Sequence, residues 1–406
     1  MQILIYFSFI FAFTFFPLIG ILLEDDSVMY GLNELKTASL THLVIFYMGF
    51  FLAFYKIRKK NYFWKDMSDC VFVNAESILI KASHIAICFT IVYFFIKGRL
   101  ILGGVERGIV RTSLGIFGPL VTFLASFGMP AILSLSTVVY FYCLKRSPIA
   151  VSRYRTIIIS SILIGVMAGG KSNVVIMFFA MLLQGGGVIR FKYLLGVVIF
   201  GVLSIIVIGM FQMDMSFIES FNYNIYRAIS LSNMGTLSVW NEFPNGSPDA
   251  YISLLSGFGE KIIAYLFDVN RYSVDFLRFS LPRYITYLYY GNPQGAIDGT
   301  VNLTITAFGE TIYWFGREYY YIGSILFSFL AYKVTVLIFI SRKFNNLLQN
   351  SMYSVFFVSL FISWLNSTSG CFIAYFFGFT SLVYLLLSYL LLKYLISGVK
   401  KQNNAC

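Results

Sequence analysis

Long apolar runs alternate with short polar breaks along almost the whole chain. A helix needs about 20 apolar residues to cross a hydrocarbon core. By that rule the sequence predicts ten spans, at residues 3–23, 40–55, 82–96, 117–144, 156–168, 173–183, 193–211, 320–340, 353–365 and 372–392. The fifth, sixth and ninth are short, which implies thinning, tilt or partial burial.

The alternation fails once, over residues 212–318. The predicted organisation is therefore a transmembrane bundle of about seven spans (1–211), a large loop (212–318) and about three further spans with a short tail (319–406). The loop is not low in complexity. Residues 251–267 and 276–290 carry apolar side chains at helical spacing, and 292–299 reads as a Gly/Pro turn. The loop is expected to be an ordered subdomain of short helices packed on the bundle.

Composition agrees with an all-α polytopic membrane protein. Of 406 residues, 58% are hydrophobic and 12% charged, against roughly 25% charged in soluble domains. The opening MQILIYFSF lacks a basic segment and a small-residue cleavage site, so it reads as a retained first span. Cys70, Cys88, Cys143, Cys371 and Cys406 show no metal or redox spacing, and none lies in the loop. With only His42 and His84 present, a multi-histidine metal centre is not expected.

Basic residues orient the spans. With the N-terminus in the cytoplasm, the inner breaks hold 17 of the 30 Lys and Arg. The short outer breaks hold only Lys36, Lys97, Arg99, Arg107, Arg111 and Lys171. Both termini are therefore expected in the cytoplasm and the large loop outside. The net charge of +12 reflects this asymmetry and does not indicate nucleic-acid binding.

Several features depart from the pattern. Residues 165–172 match the phosphate-loop expression G-x4-G-K-S, but an apolar helix precedes them instead of a strand. A tight turn is the plain reading. The functional one is an anion site of small residues, Lys171 and a helix N-terminus. The break 97–118 places Arg99, Arg107 and Arg111 outside, and Arg107 and Arg111 share a helix face. They snorkel or pair with Glu106, or they cradle an anionic headgroup through their planar forks. The loop adds Arg278 and Arg283 to this cationic set. Tyr290, Tyr313 and Trp314 belong to an interfacial aromatic belt or to a saccharide groove. His42 is expected near a membrane edge, and His84 as a structural hydrogen-bonding residue. Lys333 lies near the middle of the eighth expected span, an unusual place for a charge.

The layout resembles the bacterial O-antigen and capsular repeat-unit polymerases (Wzy-type), with their many spans, a large outer loop in the second half and Arg-rich outer breaks. Two local likenesses carry it. One is the small–small–basic turn Gly169, Gly170, Lys171, Ser172, Asn173, where the family commonly has Arg instead of Lys. The other runs from Gly299 through Phe308, Gly309, Glu310 and Tyr313 to Gly316.

The resemblance implies a metal-independent glycosyltransferase of the bacterial inner membrane, with no cofactor. It would join undecaprenyl-diphosphate-linked oligosaccharide units outside the cytoplasm, with the lipid diphosphate leaving. A chain-length regulator in the membrane is an implied partner. Such chemistry needs positive charge on the leaving diphosphate, expected from Arg99, Arg107, Arg111, Lys171, Arg278 and Arg283. It also needs a base for the acceptor hydroxyl, for which Glu310 and Asp298 are the candidates. Tyr290, Tyr313 and Trp314 would hold the saccharide. A lipid-linked oligosaccharide flippase is the rival transport reading, though it would spread charge through its spans. An O-antigen ligase shares the architecture and differs in its acceptor. A membrane acyltransferase would need a histidine base, and both histidines are poorly placed for one.

Overall fold

The computed structural model describes residues 2–23, 32–59, 72–105, 107–143, 147–168, 177, 179–184, scattered positions from 196 to 210, 214–226, 232–341, 346–366, 371–398 and 400–401. The described residues form a helical, multi-pass membrane protein, with one short strand pair, Phe72–Val73 against Lys400–Lys401. Seven helices among the described residues are long and apolar enough to span a bilayer: Leu32–Lys59, Ala75–Leu102, Gly115–Phe141, Pro148–Met167, Ala307–Phe339, Leu347–Leu365 and Phe372–Ile396. The helix Gln2–Leu23 coincides with the first expected span. The sixth expected span is described at 177 and 179–183, and the seventh only at scattered positions from 196 to 210.

Two spans that looked short reach 20 and 19 residues. Hydropathy clipped their polar ends. Pro148–Met167 begins with a proline in its first turn and holds Arg153 and Arg155. Leu347–Leu365 starts where the Asn346 side chain accepts from the Gln349 amide at 3.2 Å. Its Asn350 and Ser351 are buried against the bundle.

The long helix Ala307–Ser341 is not one rod. Gly316 has φ 75° and ψ −179°, a backbone that breaks the helix. In a straight helix Thr311 and Gly323 would lie about 18 Å apart. A β-carbon on Gly323 would instead sit 2.8 Å from that of Thr311. Residues 307–315 therefore fold back beside 317–341. The helical segment begins at Ala307, not at 320, and the tract around Glu310 belongs to the packed helices instead of the loop surface. The Phe243–Gly246 turn seals the apex: Arg317 N donates to Pro244 O at 2.8 Å, and a β-carbon on Gly316 would meet the Asn245 carbonyl carbon at 2.7 Å.

Close helix contacts depend on small residues. A β-carbon on Gly49 would lie 2.0 Å from Ser328 O, so Leu32–Lys59 and the long helix touch backbone to backbone. Nearby, Tyr6 and Thr335 share a hydrogen bond of 2.5 Å. Counting from Gly316, Lys333 lies about 25 Å down its arm, roughly two turns before the helix ends at Ser341. Its ammonium sits 5.0 Å from the Phe329 ring centre. The last span is also broken, into Phe372–Phe377 and Phe379–Ile396, with Gly378 extended between them.

In the loop, Ala250–Phe258 and Val274–Phe279 are tight three-residue-per-turn helices. Ser232–Glu242, Glu260–Leu266 and Leu281–Tyr289 are α-helices. The expected turn at 292–299 is a short helix, Pro293–Asp298. Asn292 caps it by accepting from the Gly295 amide at 2.8 Å, Pro293 opens it, and Gly299 ends it at φ 70°.

Candidate functional site

The basic break at 97–118 and the loop meet. Helix Arg107–Ser113 approaches the loop through Gly108, where a β-carbon would sit 2.9 Å from Thr300 O. Thr300 follows the helix Pro293–Asp298, its amide donating to Gly295 O at 2.9 Å. The Arg107 and Arg111 side chains and the whole of Lys171 lie outside the described detail. The backbone places the first two beside the 298–300 corner.

Arg283 sits at the centre of that corner, 1% exposed. Its Nε donates to Ala296 O at 2.8 Å, and its Nη2 to Arg271 O at 3.1 Å and to Ile297 O. Its Nη1 pairs with Glu260 at 3.5 Å, and its guanidinium lies 5.2 Å from the Phe276 ring centre. Gly299 passes close above it, with a would-be β-carbon 3.6 Å from Cζ. Buried donors need acceptors, and here backbone carbonyls supply them. Arg283, expected on a diphosphate, is thus committed to holding three loop segments together.

The other candidates divide. Arg99 and Arg278 are exposed, the latter 5.0 Å from the Phe279 ring centre. Asp298 is half-buried at the same corner and accepts from Gln294 Nε2 at 3.0 Å. Lys97 is buried, and its ammonium donates to Ala168 O at 2.9 Å. It caps the C-terminal end of Pro148–Met167, where the helix dipole favours a cation.

Glu310 is fully buried on the fold-back arm. Its carboxylate accepts from Trp364 Nε1 at 3.0 Å and from the Phe372 amide. It joins the fold-back arm to both sides of the 366–371 connection. Asp298 lies on the loop surface, and no described contact brings the two acids together.

Of the aromatic candidates, Tyr290 is exposed. Tyr313 is buried, edge-on to Phe243 with centres 5.1 Å apart, and Trp314 packs against the same small core. A carboxylate–tyrosine cluster not foreseen from the sequence lies close by. Glu242 accepts from Tyr289 at 2.9 Å and from Tyr284 at 3.4 Å. Desolvation, then the bond to Glu242, pushes the Tyr289 hydroxyl up to about 12, so it stays a donor at neutral pH. The partners are more than forty residues apart, and no local pattern announces the pairing.

The histidines differ from expectation. His42 is buried, with Nδ1 at 2.8 Å from Ser324 Oγ. His84 is exposed and makes no hydrogen bond among the described residues. Its expected structural bond is not formed because its side of the helix faces outward.

An apolar cleft opens between the first two helices and the start of the fold-back arm, with His42, Phe46 and Phe308 in its wall. No protein-family model, curated protein or solved structure matches the chain.

Proposed function

We propose that the protein polymerises lipid-diphosphate-linked oligosaccharide units at the loop side of the bacterial inner membrane, both its termini being cytoplasmic. The observation that carries this reading is the seating of the basic helix Arg107–Ser113 on Thr300 through Gly108. That contact supports a site in which the backbone of Arg107 and Arg111 runs beside the Asp298 corner.

The guanidiniums of Arg99, Arg107, Arg111 and Arg278 would hold the diphosphate and stabilise its charge as the glycosidic bond to it breaks. Asp298, reachable at the surface, would take the proton from the attacking sugar hydroxyl. The diphosphate departs as the new glycosidic bond forms, so the reaction needs no outside reductant or oxidant. Glu310 acts in this scheme as a tie beneath the site, because two N–H donors already occupy its carboxylate. Glu242 with Tyr284 and Tyr289 offers a polar, aromatic edge for the sugars, next to Tyr290. The apolar cleft by His42 would accept the lipid tail.

A deletion strain separates this reading from its rivals. Single repeat units delivered to the surface support a polymerase. No surface units would indicate a flippase, and polymer retained on its lipid carrier a ligase. Purified protein that fails to lengthen lipid-diphosphate oligosaccharides in vesicles would overturn the proposal.

A further inference from the structure

The loop turns outward an apolar surface that its own core does not use. Ile263, Phe276 and Phe279 form that core, with Ile252 and Leu255 packed on it. The opposite side presents Tyr251 and Leu254, stacked three apart on the tight helix Ala250–Phe258. Ile262, Tyr265 and Leu266 extend it at helical spacing on Glu260–Leu266. Tyr265 is 86% exposed and Leu266 62%.

The position of this surface is set by the broken last span. Gly257 lies against Gly378, where a β-carbon on Gly378 would be 2.5 Å from Gly257 Cα. Exposed Phe377 and Phe379 flank the contact. From there Phe379, Leu382, Leu386 and Leu390 run down the span as an exposed apolar stripe, the face a spanning helix turns to lipid. The loop patch is the outer continuation of that stripe.

We propose that residues 251–266 lie in the plane of the membrane interface on the loop's side, as an amphipathic anchor whose partner is the lipid surface. Tyr251 and Tyr265 suit the headgroup level, and the aliphatic side chains suit the acyl boundary below it. A saccharide fits less well, because Leu254, Ile262 and Leu266 have no ring face on which a sugar could stack. The inference does not rest on the glycosyl-transfer reading.

Leu266→Cys tests it in the full chain, with the five native cysteines replaced by serine. The protein is labelled with an environment-sensitive dye and held in phosphatidylcholine–phosphatidylglycerol nanodiscs. Gln294→Cys, at an exposed position of the helix Pro293–Asp298, is the reference. Lipids carrying nitroxide near the carbonyls should quench the dye at 266 at least twofold more than at 294, and aqueous iodide should show the reverse order. Iodide quenching at 266 equal to that at 294 would overturn the proposal. So would protection from both quenchers together with a dimer by mass, since a second copy would then cover the patch.

Discussion

Thr311 and Gly323, twelve residues apart in the chain, pack side by side, so that a β-carbon on Gly323 would sit 2.8 Å from Thr311 Cβ. The contact exists because Gly316 turns the helix back on itself. It draws Glu310 and Tyr313 out of the large loop and into the helix packing.

Gly316→Ala should therefore be severe. The glycine sits at φ 75°, and a side chain there would meet the 244–246 backbone at under 3 Å. A loss of about 2–4 kcal/mol is expected, seen as a lowered Tm in nanodiscs. An unchanged Tm would contradict the fold-back geometry.

Glu310→Gln should destabilise by about 1–3 kcal/mol, because an amide leaves one of the two N–H donors without a good acceptor. Trp364→Phe should cost part of the same amount and couple to it in a double-mutant cycle. If Glu310→Gln kept full stability and lost chain extension, Glu310 would be the base instead of the tie.

The cationic residues should separate into two behaviours. Arg107→Ala, Arg111→Ala and Arg278→Gln should shorten or abolish polymer while leaving the amount of membrane-inserted protein unchanged. Arg283→Gln should open the loop to protease, since three carbonyls lose their donor and Glu260 keeps only Arg271. Limited proteolysis alongside polymer-length gels reads both, and protease resistance in Arg283→Gln would remove its structural assignment.

The helix Phe217–Tyr226 carries its own pH response. The Ser216 amide donates to Glu219 at 2.8 Å, and the Glu219 amide donates to Ser216 Oγ at 3.3 Å, a reciprocal cap. The Ser216 backbone bond holds the Glu219 carboxyl below its usual value. A depressed carboxyl stabilises above its unfolded-state pKa and loses that contribution as pH falls through the folded value. Amide exchange in 217–226 should thus speed up, relative to neighbouring helices, on going below the ordinary carboxylate range. Glu219→Gln should abolish that dependence.

Hydropathy alone determined the class of fold and most helix positions, because lipid requires each span to be long and apolar. Apolar spacing also marked the helical stretches of the loop, and the count of Lys and Arg marked the basic break. The pattern could not reveal that Arg283 points inward to Ala296, Ile297 and Arg271, because burial of a guanidinium depends on carbonyls brought in from other segments. Nor could it show that Lys97 caps the helix ending at Met167, or that Glu242 collects Tyr284 and Tyr289. Periodicity reports which face of an element is apolar. Which elements meet is decided by close approaches at single glycines (Gly108 on Thr300, Gly257 on Gly378, Gly316 on the 244–246 turn), and those contacts exist only once the chain has folded.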